Sequence, residues 1–193
     1  MKLYEEYHCA LKRTYAEGKK MRGAIFAECV KRGIQKKLEE SNVDDYYVIS
    51  DNNVYVKGSP YEYDLLILKK NCNPDYKVVY NPQDVVACIE CKAGGLYNLE
   101  SETESIAKAA NKLYVLNNAV SFGYITLWEN TPINKVKSNG DVTIDQWKLT
   151  YKYLSDKIIS DKQLSYAVTL KKGKNIIGPV ETEFTEFVNF LIK

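Results

Sequence analysis

Apolar residues over the first forty positions recur at helical steps. Leu3, Tyr7, Leu11 and Tyr15 lie four apart, Gly18-Lys19-Lys20 marks a break, and Ala24, Ile25, Ala27, Val30 and Leu38 continue a second helix around Glu28. The period then shortens to that of strands. Tyr46 to Ile49 and Val54 to Val56 flank the turn residues Asp51-Asn52-Asn53 and predict a β-hairpin. Tyr63 to Leu68 reads as one strand, a loop carrying Pro74 and Pro82 follows, and Val85 to Lys92 is the most strand-like run of the chain. Helix over Ser101 to Asn117, strand over Phe122 to Trp128, helix over Ile144 to Ile158, strand over Leu164 to Leu170 and helix over Glu183 to Ile192 complete the pattern. Helices alternating with the later strands predict an α/β protein, an α/β/α sandwich around a central mixed sheet.

At 193 residues, with 45% hydrophobic and 27% charged positions, the chain is expected to form a single domain over 1–193. Within it, residues 1–40 form a helical part, 44–130 a core, and 131–193 a helix-strand-helix completion. No run approaches the length of a membrane span, and the opening MKLYEEYHCALKR carries charges where a secretory signal needs apolar residues, so a cytoplasmic protein without membrane association is expected. Five scattered cysteines do not suggest a disulfide framework. A single histidine, His8, excludes multi-histidine zinc sites and HExxH proteases, leaving carboxylates, lysine or an oxygen-held metal for any hydrolytic chemistry. The formal charge of +2 hides an asymmetry: between Lys12 and Lys37 nine bases face two acids. Lys19, Lys20, Arg22, Lys31 and Arg32 in that segment are candidate phosphate contacts, with a merely solvated helix face as the alternative.

Two acids interrupt apolar runs: Asp64 precedes Leu-Leu-Ile-Leu, and Glu90 follows Val-Val-Ala-Cys-Ile with Lys92 two residues on. An acid two positions before a lysine carries no information by itself, since the three matches in the chain, at Glu17, Asp75 and Glu90, equal about the number chance supplies. Setting distinguishes the third. On a strand, Glu90 and Lys92 share a face while Ile89 and Cys91 take the other. Charges at the end of a buried strand cost several kcal/mol, roughly, unless paired or metal-bound. Two carboxylates on neighbouring strands suit a hard cation such as Mg²⁺, and a lysine beside them can orient or deprotonate water and offset phosphate charge. A self-satisfied ion pair at the strand end is the alternative, but it leaves Asp64 without a purpose.

The order of a helical glutamate, Asp64 on one strand, and Glu90-Cys91-Lys92 on the next resembles the PD-(D/E)xK nucleases of the restriction-endonuclease-like superfamily, over roughly Arg22 to Trp128. Restriction-type or defence-associated members are the most similar. The resemblance implies a restriction-endonuclease-like fold and a Mg²⁺-dependent endonuclease, with Mn²⁺ able to substitute, that hydrolyses phosphodiester bonds in double-stranded DNA. It implies metal binding around Asp64, Glu90 and Cys91, catalytic roles for Asp64, Glu90, Lys92 and the helical Glu28, and a homodimer, because double-strand cleavage needs two sites. Tyr63, rather than the family's proline, precedes Asp64.

Other readings remain open at this point. Glu28 lies four residues before Arg32 and serves equally well as a surface ion-pair partner. Tyr61 and Glu62 lie near Asp64, with a solvent-facing role favoured for Glu62. Cys88 and Cys91 spell CxxC, but on a strand their sulfurs point to opposite faces and cannot grip one metal together, so both thiols are read as packing groups. Gly94-Gly95 lacks phosphate-loop spacing and is read as a sharp turn, and Lys171, Lys172 and Lys174 are further candidate phosphate contacts. An RNA or structure-specific nuclease, and a catalytically idle nucleic-acid-binding or assembly module, are the functional alternatives.

Overall fold

Leu65, Leu66, Ile67 and Leu68 are all fully buried, as a strand covered on both faces requires. The computed structural model describes residues 3–14, 18–50, 54–93, 99–126, 146–158, 164–168 and 181–193. In it these four residues open β4 (Leu65–Lys69), the second strand of a five-stranded sheet. The others are β1 (Tyr46–Ile49), β6 (Val85–Lys92), β7 (Ser121–Thr126) and β8 (Leu164–Val168), in the order β1-β4-β6-β7-β8. β1, β4 and β6 pair antiparallel, whereas β6, β7 and β8 run parallel, so the sheet is mixed. A second sheet, in the order β3-β2-β5, holds β2 (Val54–Val56), β3 (Glu62–Tyr63) and β5 (Val79–Tyr80).

Side-chain alternation divides the core in two. Leu65, Ile67, Ala87, Ile89, Cys91 and Ile125 face one way. They are covered by α1 (Leu3–Thr14), α2 (Lys19–Glu40) and α5 (Glu181–Leu191), through residues such as Tyr7, Phe26, Ile34 and Phe187. Leu66, Leu68, Val85, Cys88, Phe122 and Tyr124 face the other way, against α3 (Leu99–Leu116), α4 (Gln146–Lys157) and the small sheet. Each large apolar side chain removed from water in this way contributes roughly 1.5–3 kcal/mol. α5 approaches β7 so closely that a Cβ on Gly123 would lie 2.8 Å from Phe187 Cζ, which leaves room there only for glycine.

The layers are those the periodicity predicts, with three differences. The expected hairpin does not form: β1 pairs with β4 in the main sheet, while β2 joins the small sheet. Alternation reveals that a segment is a strand but not which partner it takes, and Val54 and Val56 find their buried surface on the other core. The single run over Tyr63 to Leu68 is divided at Asp64, where the chain leaves the small sheet for the main one. The loop around Pro74 and Pro82 contains β5 and a 3-10 turn at Pro82–Asp84, capped by Asn81, whose side chain accepts from the Gln83 N–H. No helix among the described residues is long and apolar enough to cross a membrane.

Candidate active site

The antiparallel register of β4 against β6 pairs Leu65 with Ile89 and Leu66 with Cys88. One further step in the same register sets Asp64 opposite Glu90. Glu90 and Lys92 have the parity of Cys88 on β6, so both belong to the face covered by α3 and the small sheet, and Asp64, at the bend between β3 and β4, lies close enough for Glu90 and Lys92 to act on its carboxyl. The Cys91 N–H donates to Asp64 Oδ2 at 2.8 Å, which ties the junction carboxylate to the strand carrying the other two groups. Lys92 Nζ lies 2.6 Å from Glu90 Oε1, with 33% of the lysine side chain and 20% of the glutamate side chain exposed, so the pair is reachable from solvent. The site stands at the carboxyl ends of the parallel strands, where ligands of open α/β sheets generally bind.

Burial, followed by repulsion from Glu90, pushes Asp64 up to about 7, against the opposing effects of the Cys91 N–H and Lys92. Burial works against the Lys92 ammonium, but Glu90, Asp64 and Glu102 outweigh it and hold the lysine above its ordinary value. Lys92 is therefore a cation at neutral pH, suited to supplying charge and hydrogen bonds rather than to removing a proton. Glu102, in the first turn of α3, has no strand motif to reveal it. No signal in the sequence singles it out.

Two crowded, partly buried carboxylates with a cation at their flank are an oxygen donor set short of positive charge. Such a set fits Mg²⁺, which commonly binds through one or two carboxylates and completes its shell with water and phosphate oxygens. No group of three His, Cys, Asp or Glu among the described residues is arranged to hold a metal, so substrate or water would have to supply the remaining ligands.

Glu28 is placed differently. α2 packs on the opposite sheet face, and Glu28 accepts from Ser50 Oγ at 2.8 Å and from Arg32 Nε at 3.0 Å, with Lys31 Nζ at 3.4 Å. Burial alone would raise its carboxyl, but Ser50, Arg32 and Lys31 together hold it below the usual value. Arg32 also lies 3.9 Å from Glu6, so Lys31 and Arg32 serve this network. Lys20 and Arg22 are exposed near the start of α2. Ser50 follows the β1 end that lies opposite the start of β4, so its bond to Glu28 sets Lys20 and Arg22 about 12 and 9 Å further along the helix, beyond the site end of the sheet. Lys19 lies in the same first turn. Cys88 and Cys91 fall in opposite cores, and burial raises both thiols, Cys88 with added repulsion from Glu90 and Cys91 with that of Asp64 and Glu90. Glu62 is exposed and adds negative charge at Asp64. Gly94, Gly95, Lys171, Lys172 and Lys174 lie outside the described residues.

No family model matches the sequence, and no curated protein matches it. Solved structures do. The cAAA-bound form of NucC from E. coli MS115-1 superposes with a TM-score of 0.58 at 12% identity, covering 98% of this chain and 85% of that one. The cAAA-bound NucC of P. aeruginosa ATCC27853 gives 0.58 and 12%, covering 98% and 86%. The likeness establishes the fold: a restriction-endonuclease-like α/β sandwich with a central mixed sheet.

Proposed function

We propose that this chain is a Mg²⁺-dependent endonuclease that hydrolyses phosphodiester bonds in DNA, Mn²⁺ substituting. What supports this reading is that Asp64, held by the Cys91 N–H, and the Glu90–Lys92 pair lie close enough to act on one another's ionisation, with the pair in reach of solvent. The fold shared with the NucC structures supports the superfamily and does not choose among its branches.

Asp64 and Glu90 would hold the cation, which when bound supplies Lewis acidity and lowers the pKa of water. The Cys91 N–H holds Asp64 by its Oδ2. Lys92, kept charged by three surrounding acids, offsets the negative charge that builds on phosphorus as water attacks. Glu102, in the first turn of α3, would add to the negative charge that keeps Lys92 protonated. Glu28 accepts from Ser50 Oγ and so ties α2 to the segment after β1. Lys19, Lys20 and Arg22 would contact phosphates beyond the site, giving affinity that falls steeply with salt and carries no sequence information.

Digestion of supercoiled plasmid with Mg²⁺ tests the reading, with linear duplex, single-stranded DNA and RNA alongside. Cleavage of DNA by the native protein, abolished in Lys92→Ala and by chelation, is the expected result. Equal activity in both proteins, or none in either on any substrate, contradicts it.

A further inference from the structure

A turn at the site end of the small sheet breaks a local rule without a visible return in stability. Tyr76 and Lys77 have φ of 52° and 65°, the left-handed region that favours glycine and asparagine. They are the central pair of a tight turn closed by Val78 N–H to Asp75 O at 3.3 Å and flanked by reciprocal bonds between Asp75 and Val79 at 2.8 and 3.0 Å. Two successive positive φ values define the mirror-image hairpin turn, whose usual sequence is Asn-Gly. Here it carries a bulky aromatic that is 93% exposed and so gains nothing from packing. A bulky residue kept in a costly conformation, with its ring held out in water, points to a function for the ring.

Strand directions give that function a place. β3 runs towards Asp64; β2 is antiparallel to β3, and β5 is parallel to β2, so the start of β5 lies at the Asp64 end of the small sheet. The turn that immediately precedes β5 is thus carried to the same end as the catalytic carboxylates. Glu62, Tyr55 and Val79 form a row across the sheet, and Asp75 bridges to Val79 one strand further out. Three strand spacings separate the turn from β3 by about 14 Å, the span of about four nucleotides at ~3.4 Å each. Lys57 Nζ lies 3.6 Å from Asp75 Oδ2 and helps hold the turn against β2, while Lys77 remains exposed beside the ring.

We propose that Tyr76 is a stacking platform for an unpaired base of the nucleic-acid strand engaged at Asp64 and Glu90, with Lys77 beside it contacting the backbone. The proposal rests on the nucleic-acid reading of the main site. Base stacking on an aromatic ring tolerates any sequence, because every base has a π-face.

Fluorescence anisotropy tests this in an Asp64→Asn background, so that strands are bound and not cut. The probes are a labelled duplex with a single-stranded tail and its blunt counterpart. Tyr76→Asn suits the backbone conformation and removes the ring, whereas Tyr76→Trp keeps a stacking surface. Tyr76→Asn is expected to weaken binding of the tailed duplex by roughly 5- to 100-fold, to change blunt-duplex affinity less, and to raise the Tm; Tyr76→Trp is expected to bind like the parent. Unchanged tailed-duplex affinity in Tyr76→Asn, from a parent that binds, overturns the platform and leaves the nuclease reading standing. So does equal weakening by Asn and Trp, or a dimer lost in Tyr76→Asn with DNA affinity intact. A parent that binds neither probe overturns the nucleic-acid reading itself, and the platform with it.

Discussion

Asp64 accepts the main-chain N–H of Cys91 at 2.8 Å, across the seam between β4 and β6. The carboxylate at the sheet junction is therefore positioned by the strand that carries Glu90 and Lys92, and the position does not depend on a rotamer choice alone. Fixing it there has a cost, because burial and Glu90 push its titration up to about 7.

That cost makes stability depend on pH in a definite direction. A carboxyl whose folded value lies above its unfolded value stabilises the fold below the unfolded value and loses that contribution as pH rises through the folded one. Asp64 thus opposes folding progressively as it ionises. Asp64→Asn, which retains an acceptor for the Cys91 N–H, is expected to raise the Tm by several degrees at about pH 8 and by little at about pH 4. Thermal melts of both proteins across this range provide the check. A lower Tm for the variant at about pH 8 would contradict the burial and repulsion assigned to Asp64.

Lys92→Ala leaves Glu90 without its 2.6 Å partner, and on the proposed reading it removes the charge that would offset the phosphate. Cleavage is expected to fall by roughly 100-fold or more, and Lys92→Arg to restore part of it, since a permanent cation can offset charge even with altered geometry. Single-turnover rates separate this from weaker binding. An Arg variant no more active than Ala would contradict a role carried by the lysine's charge.

Glu28→Gln provides a contrast. The Ser50 contact can persist, but the ion pairs with Arg32 and Lys31 are lost, and exposed pairs of this kind contribute roughly 1 kcal/mol or less. A small drop in Tm above the ordinary glutamate range is expected, fading as pH falls through the depressed folded value, since that is where the paired carboxylate becomes protonated. Cleavage per folded molecule is expected to stay within about threefold of native. A collapse in rate at unchanged Tm would return Glu28 to the catalytic set.

Glu102→Gln removes one of the three acids that keep Lys92 charged. The expected outcome is a rate loss of about tenfold or less, with the alkaline limb of the pH-rate profile moved to lower pH. An unmoved profile would show that Glu102 does not act through Lys92.

Much of this architecture was legible because the patterns were local. Four successive apolar residues at Leu65 to Leu68 identify a strand covered on both faces, and i, i+2 geometry alone sets Glu90 and Lys92 on one face with Cys88 and Cys91 on opposite ones. What escaped was nonlocal. The partner of β1 is chosen by a core built from residues twenty positions away, and the break at Asp64 reflects a change of sheet that alternation does not register. Glu102 and Tyr76 left no motif, and the place of Tyr76 follows from strand direction.

Calorimetric titration with Mn²⁺ at about pH 8 tests most directly whether Asp64 and Glu90 form one cation site, comparing native protein with Asp64→Asn and Glu90→Gln. Saturable binding to the native protein, lost in either variant and weakened at about pH 5.5, where Asp64 holds its proton, is the expected result. Binding that survives both substitutions, or that is absent from the native protein, would contradict a shared site.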